Sequence, residues 1–220
     1  MNTKALVLCD DYWHPAKTPR AGLTQLAGER AGAAWDWMED AREWPAQKIN
    51  DYPLVILTKS NEVSSQIREP WMTEEIQRAL LNYVQQGGGL LVIHSGTAGY
   101  KETPILRALI GGVFDMHPPQ CMVTVEPTQA EEITAGVLPF TIKDEHYFMA
   151  MSDAPGDVFL KATSEHGEQP AGWRRAEGNG QVVVLTPGHN VEVWLHPSYQ
   201  TLLRNAAKAS TSRLLPWLMA

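Results

Sequence analysis

The segment Gly87-Gly88-Gly89-Leu90-Leu91-Val92-Ile93-His94-Ser95-Gly96-Thr97 sets an unbroken apolar run directly against a polar cluster. A short apolar run bounded by turn residues is the pattern of a strand buried on both faces, which parallel sheets require. Ala5-Leu6-Val7-Leu8-Cys9, stopped by Asp10-Asp11, repeats the pattern, as does Leu54-Val55-Ile56-Leu57-Thr58 with Lys59, Asn61 and Glu62 behind it. Helical patterns fill the intervals. Pro19 opens one through residue 32, with Leu23, Leu26 and Ala27 on its inner face. Thr73 opens another, in which Ile76, Ala79, Leu80, Tyr83 and Val84 follow helical spacing until the three glycines end it. Residues 34–38 supply a further strand. Strands and helices in alternation predict an α/β fold, flavodoxin-like, with a mainly parallel sheet.

Beyond Gly112 the character changes. Residues 122–125, 140–142, 158–162, 171–175 and 181–185 are short strand candidates, and Glu177-Gly178-Asn179-Gly180 predicts a hairpin turn between the last two. A closing helix is expected from Pro197 to about Lys208, with Leu202, Leu203 and Ala206 inward. No Ser/Gly/Pro-rich linker divides the 220 residues, so positions 1–220 read as one domain. Its tail, residues 210–220, carries Leu214, Leu215, Trp217 and Leu218 and is expected to dock on the domain or on the second subunit of a homodimer.

Bulk composition excludes several function classes. Hydrophobic residues make up 44% and charged residues 20%, values of an ordinary globular fold. A formal net charge of -7 without a clustered Lys/Arg face argues against nucleic acid and for a small-molecule partner. Cys9 and Cys121 do not make a disulfide framework and are expected as free thiols. The start, Met1-Asn2-Thr3-Lys4 before a five-residue apolar run, lacks a signal-peptide core, and no stretch approaches the roughly 20 apolar residues of a membrane span. The expectation is a cytoplasmic protein with no membrane partner.

In open α/β sheets ligands collect beyond the carboxyl ends of the strands, and the polar residues concentrate there. His14, His94, His117 and His189 each follow a predicted strand end or a turn. Imidazole moves protons near neutral pH and is the commonest zinc ligand, so a convergence of several would be chemically useful, whereas each alone could simply cap a turn. Asp144-Glu145-His146-Tyr147 follows the strand candidate at 140–142, and strand alternation sends Asp144 and His146 to one side and Glu145 and Tyr147 to the other. Trp173 and Trp194 could form a flat wall for a sugar ring, with core packing as the competing use. The chain has no pair of histidines one helical turn apart, so any metal site must be assembled from distant residues. Ser95 is a poor nucleophile candidate, because histidine precedes it, only Gly96 follows, and the glycine pattern of a serine elbow is not met.

These motifs together resemble a known family. Gly87 through Ser95, Phe114 with His117-Pro118, Asp144-Glu145-x-Tyr147, Ala171-Gly172-Trp173, and Gly188-His189 followed by Trp194 stand in the order seen in trehalose-utilisation, ThuA-like, proteins. Asp10-Asp11-Tyr12-Trp13-His14-Pro15 is similar to the opening of bacterial members, and the resemblance spans most of residues 4–208. It implies the three-layer sandwich of class I glutamine amidotransferase-like proteins without amidotransferase activity, since His94 stands at the turn that carries the cysteine. It further implies carbohydrate metabolism, beside a sugar oxidoreductase that turns a disaccharide or glycoside into a keto-sugar.

An isomerase or lyase-like catalyst on such a sugar needs a base beside the carbonyl and an electrophile for its oxygen. His94, His117, Glu145 and His189 are the catalytic candidates. Asp11, His14, Ser95, Asp144, Tyr147, Trp173 and Trp194 are the substrate-binding candidates. A divalent metal such as zinc is the candidate cofactor, with His94, His117 and His189 as its ligands. The alternative is a sugar-binding or regulatory protein without turnover.

Overall fold

The computed structural model describes residues 3–46, 48–212, 215 and 217. The first half alternates as its apolar pattern dictates: β1 (Ala5–Cys9), α1 (Lys17–Ala27), α2 (Ala31–Ala34), β2 (Trp35–Met38), β3 (Leu54–Thr58), α3 (Glu74–Gln85), β4 (Gly89–Ile93) and α4 (Pro104–Ile110). Strands then follow in succession: β5 (Gly112–Met116), β6 (Cys121–Pro127), β7 (Phe140–Asp144), β8 (Phe148–Met151), β9 (Asp157–Ser164), β10 (Gly167–Glu177) and β11 (Gly180–Leu185). Two helices close the chain, α5 (Val191–Leu195) and α6 (Pro197–Ser210).

Among the described residues the main sheet runs β2-β1-β3-β4-β11-β10-β9-β6-β7. Its first five strands pair in parallel, an order consistent with the flavodoxin-like 2-1-3-4-5 arrangement, and the remaining four continue it antiparallel. The polypeptide therefore returns from the strand-rich half to complete the parallel half with β11. On one face of the sheet Val7, Ile56, Leu91 and Val183 meet Leu23 of α1 and Leu203 of α6. On the other, Leu8, Val55, Val92 and Val184 meet Leu80 of α3 and Leu106 of α4. Alternate residues of one strand feeding two cores explains why the central positions of these strands are apolar on both faces.

Several predicted bounds shift for identifiable reasons. The first helix stops at Ala27, where Gly28 turns to φ +55, instead of running to residue 32. Thr73 caps α3 as expected, its Oγ accepting the Ile76 N–H at 3.3 Å. The hairpin forms between β10 and β11, pairing Glu177 with Gly180. Helix α4 and the small β5-β8 ribbon have no counterpart in the prediction. Two turns of helix are too short to show periodicity, and β5 is broken by an irregularity between Phe114 and Met116. In the tail, Trp217 packs on Trp35 at 4.2 Å between ring centroids, and Leu215 is buried, while Leu214 and Leu218 lie outside the described residues. Both cysteines are free thiols, and burial pushes the Cys9 thiol up to about 12. No helix among the described residues is long and apolar enough to cross a membrane.

One close approach fixes the turn after β4. A Cβ at Gly96 would lie 2.1 Å from the Leu57 carbonyl oxygen and 2.9 Å from Val92 Cγ1, so glycine lets the His94–Thr97 turn seat against the end of β3. Gly96→Ala is expected to lower stability by about 1–3 kcal/mol, as overpacking does. Urea unfolding measures this, and a variant as stable as the parent would show that the turn can move away from β3 at no cost.

Candidate functional site

The loops that leave β1, β3, β4 and β11 meet at one edge of the sheet, and buried polar groups fix them there. Asp10 takes φ +73, and its carboxylate accepts the Ala16 N–H at 3.0 Å and the Ser65 N–H at 3.2 Å. The Lys59 ammonium is buried and donates to the carbonyls of Asp10 at 2.8 Å, Glu39 at 3.0 Å and Val63 at 2.9 Å. Asp11 is buried as well. Its Oδ1 accepts the N–H groups of Trp13 and His14, both at 3.0 Å, and lies 2.8 Å from His14 Nδ1, while Oδ2 accepts the Ser60 N–H at 2.8 Å. Burial opposes ionisation of Asp11, but these bonds, His14 foremost, outweigh it and hold the carboxyl below its ordinary range. With these contacts made inside the chain, Asp11, expected among the substrate-binding residues, holds His14 and Ser60 in place.

His94 sits at φ +46, a strained conformation for a residue with a side chain, directly after β4. Its Nδ1 lies 2.7 Å from the Thr186 carbonyl. A carbonyl can only accept, so Nδ1 carries the proton and Nε2 is left with a lone pair. The same logic, with the Asp11 carboxylate as acceptor, gives His14 a proton on Nδ1 and a bare Nε2 when neutral. Burial first, and the nearby His94 and His189, push the His14 pKa down in spite of Asp11.

His189 arrives by a different device. Asp144, buried at the end of β7, accepts the N–H groups of Gly188 at 2.8 Å, His189 at 3.0 Å and Asn190 at 3.3 Å. Expected among the substrate-binding residues, it anchors this turn, and burial pushes its carboxyl up. Gly188 turns at φ +141 where a Cβ would come 3.2 Å from the Trp194 indole nitrogen and 3.3 Å from His94 Cβ. Trp194 in turn donates to the Gly188 carbonyl at 2.7 Å.

Glu145 points into the gathering. Its Oε2 lies 3.1 Å from His189 Nδ1 and 3.4 Å from His94 Nε2, and its Oε1 lies 3.5 Å from His117 Nε2. Burial opposes its ionisation, but His189 and His94 outweigh that and hold its carboxyl far below the usual range. Burial likewise works against a charged His189, and Glu145 overcomes it to raise that imidazole. These contacts are close without being aligned as hydrogen bonds. His14 Nε2, His94 Nε2 and His189 Nδ1 are all buried without a hydrogen-bond partner. Ligand atoms of His14, His94, Glu145 and His189 lie within 4.8 Å of one another.

Of the three expected metal-ligand candidates, His94 and His189 belong to this group, which His14 and Glu145 complete. His117 stands outside the four, its Nδ1 2.7 Å from the Pro118 carbonyl and its side chain 34% exposed. It follows β5 on the small ribbon, faces the other oxygen of Glu145, and has its ring centroid 6.0 Å from that of Tyr147. His14, expected among substrate ligands, fills the fourth place.

A cavity of about 300 Å³ opens over this group, lined by His14, Ser60, Phe114, His117, Glu145 and Tyr147, with Trp13 at its rim. Tyr147 stacks on His94 at 4.0 Å, and Phe114 lies 4.3 Å from Tyr147. These rings form the aromatic wall expected of Trp173 and Trp194, which are 0% and 1% exposed and belong to the cores. Trp173 spends its indole N–H on the Ile110 carbonyl at 2.7 Å. Ser95 is buried and its Oγ has no hydrogen-bond partner, so no imidazole activates it and no substrate role is open to it at the surface. His146 turns away to Ser164 Oγ at 2.7 Å. Ser60 and Trp13 were not anticipated as lining residues. Ser60 carries no signal beyond following a strand end; its backbone is pinned by Asp11, and its buried Oγ is unpartnered.

The chain resembles a ThuA-like protein of Bacteroides uniformis at 20% identity and a TM-score of 0.68, over 98% of this chain and 90% of that one. A ThuA-like protein of Parabacteroides merdae matches at 20% identity and a TM-score of 0.71, over 97% and 92%. A cytoplasmic protein of Salmonella typhimurium matches at 14% identity and a TM-score of 0.67, over 96% and 100%. Identities this low speak to the fold alone. None of the proteins of curated function matches the sequence. The profile described as ThuA, trehalose utilisation, matches residues 4–208, and the chain belongs to that family.

Proposed function

We propose that this protein is a cytoplasmic, carbohydrate-active enzyme that converts a keto-sugar by metal-assisted acid/base chemistry of the isomerase or lyase kind. The observation that carries the reading is a set of buried ring nitrogens without hydrogen-bond partners. His14 Nε2, His94 Nε2 and His189 Nδ1 gather beside the Glu145 carboxylate, an arrangement that suits a cation when the rings are neutral. Three imidazole nitrogens and one carboxylate oxygen suit a divalent ion such as zinc. The outer partners fit too, since Asp11 and the Thr186 carbonyl fix the tautomers of His14 and His94 as acceptors behind metal-binding histidines do. An ion held there supplies Lewis acidity towards a carbonyl oxygen.

His117 is the proton carrier in this reading. Its Nδ1–H is committed to Pro118, which leaves the Nε2 lone pair facing the cavity, and Glu145 Oε1 at 3.5 Å steadies the imidazolium once a proton is taken from carbon beside the ketone. Tyr147 and Phe114 present ring faces to the sugar, and Ser60 Oγ is free to bond a hydroxyl. We take the fold as the three-layer class I glutamine amidotransferase-like sandwich, with His94 at the strained turn that carries the nucleophile there, and a sugar oxidoreductase as functional partner. The alternative, sugar binding without turnover, draws on the aromatic lining.

Elemental analysis of the purified chain is expected to find one zinc or similar ion per chain, lost in His14→Ala, His94→Ala and His189→Ala. A hundredfold excess of zinc over its Kd should stabilise the parent by about 2.7 kcal/mol in thermal unfolding and leave those variants unmoved. Metal retained in all three variants would refute the site. His117→Ala should keep the metal and lose turnover of a keto-disaccharide about 100-fold or more, followed by NMR. Binding of that sugar by the parent without conversion would favour the alternative.

A further inference from the structure

Tyr83, Tyr100, Tyr147 and Tyr199 are the buried tyrosines among the described residues, and Tyr147 differs from the rest. Tyr83 donates its hydroxyl to the Gly89 carbonyl at 3.0 Å, Tyr100 to that of Lys59 at 2.9 Å, and Tyr199 to that of Pro187 at 2.6 Å. Tyr147 is 3% exposed, yet among the described residues its Oη finds no hydrogen-bond partner. A hydroxyl taken out of water without a partner costs free energy, and phenylalanine would fill nearly the same space without that cost. Tyr147 lines the cavity over Glu145, so the little of it that meets solvent does so there.

Its neighbours set what the hydroxyl faces. The Tyr147 ring stacks on His94 at 4.0 Å between centroids and lies 6.0 Å from the His117 ring, inclined to them by only 26° and 21°. His94 Nε2 lies beside Glu145 Oε2, within the group that suits a cation, and His117 Nε2 faces Glu145 Oε1. Tyr147 thus borders both the imidazole that takes a proton from carbon and the group towards which the adjacent carbonyl oxygen is drawn. A phenol holds its proton at neutral pH and has one O–H to give. A hydrogen bond from it strengthens as negative charge develops on the acceptor.

We propose that Tyr147 is a further catalytic residue, whose Oη–H donates to the carbonyl oxygen of the substrate and holds it more tightly as the carbonyl becomes an enediolate. His117 Nε2 takes the proton, the C–H electron pair forms the carbon–carbon double bond, and the carbonyl π pair moves to the oxygen that Tyr147 holds. The phenolic proton stays on Tyr147. This rests on the acid/base reading above and adds a group of the chain itself that bears the charge on oxygen.

Tyr147→Phe in the full chain, supplemented with zinc, tests it, because the ring is kept and only the hydroxyl is lost. Turnover of a keto-disaccharide, followed by NMR, is expected to fall about 100-fold in kcat with KM changed less than about threefold, as when one oxyanion donor is removed. A sugar-acid hydroxamate, a planar mimic of the enediolate, should bind the parent more tightly than the keto-disaccharide does in calorimetric titration, and the variant should lose about tenfold of that preference. The urea midpoint should not fall, since an unpartnered hydroxyl does not stabilise the fold. Parental kcat in the variant, a lowered urea midpoint, or equal weakening of hydroxamate and sugar overturns the role of Tyr147 and leaves the acid/base reading standing. A parent that neither converts the sugar nor binds the hydroxamate overturns both.

Discussion

The parallel register of β1, β3, β4 and β11 is the constraint on which the site depends. Cys9 pairs with Thr58, Leu57 with Val92 and Ile93 with Leu185, so the strands run out at nearly the same level. Asp10 and Asp11, Lys59 and Ser60, His94, and Thr186 then emerge side by side. The bond from His94 to the Thr186 carbonyl joins residues 92 positions apart and exists because β4 and β11 end together. A slip of one residue would turn every apolar side chain of a strand to the wrong core, so hydrophobic packing on both faces enforces the level at which the polar edge is built.

Buried charge is handled in two contrasting ways around this edge. Lys59, Asp11 and Asp144 each have a full set of backbone partners, as the cost of removing an ion from water demands. They tie loops from different parts of the chain into fixed positions. A few ångströms away, His14, His94 and His189 keep a ring nitrogen buried with no partner. The same fold that satisfies its structural ions leaves these ring nitrogens without hydrogen-bond partners, and that difference separates the scaffold from the candidate site.

How much of this was legible in the sequence follows from the range of the forces involved. The apolar runs at Ala5, Leu54 and Leu90 report burial on two faces directly, and the capping Thr73 and the Gly178 turn report local backbone geometry. The motif around His94 marked a strand end, and Glu145 with His94 and His189 do meet. His14 and not His117 joins that group, because which imidazole reaches the shared point depends on Asp11 holding one there and on the other following the small β5-β8 ribbon. Trp173 and Trp194 looked like ligand platforms only as isolated letters; their partners, the Ile110 and Gly188 carbonyls, are invisible in one dimension.

By itself the sequence determined the α/β alternation, the placement of polar residues beyond strand ends and the family to which the chain belongs, since these rest on hydrophobic period and short motifs. The tertiary structure alone decided that β11 returns to complete the parallel half and that His14 joins His94, Glu145 and His189. Those outcomes depend on strand register and on buried carboxylates that tie distant loops together, Asp11 to Ser60 and Asp144 to Gly188, which no local pattern reports.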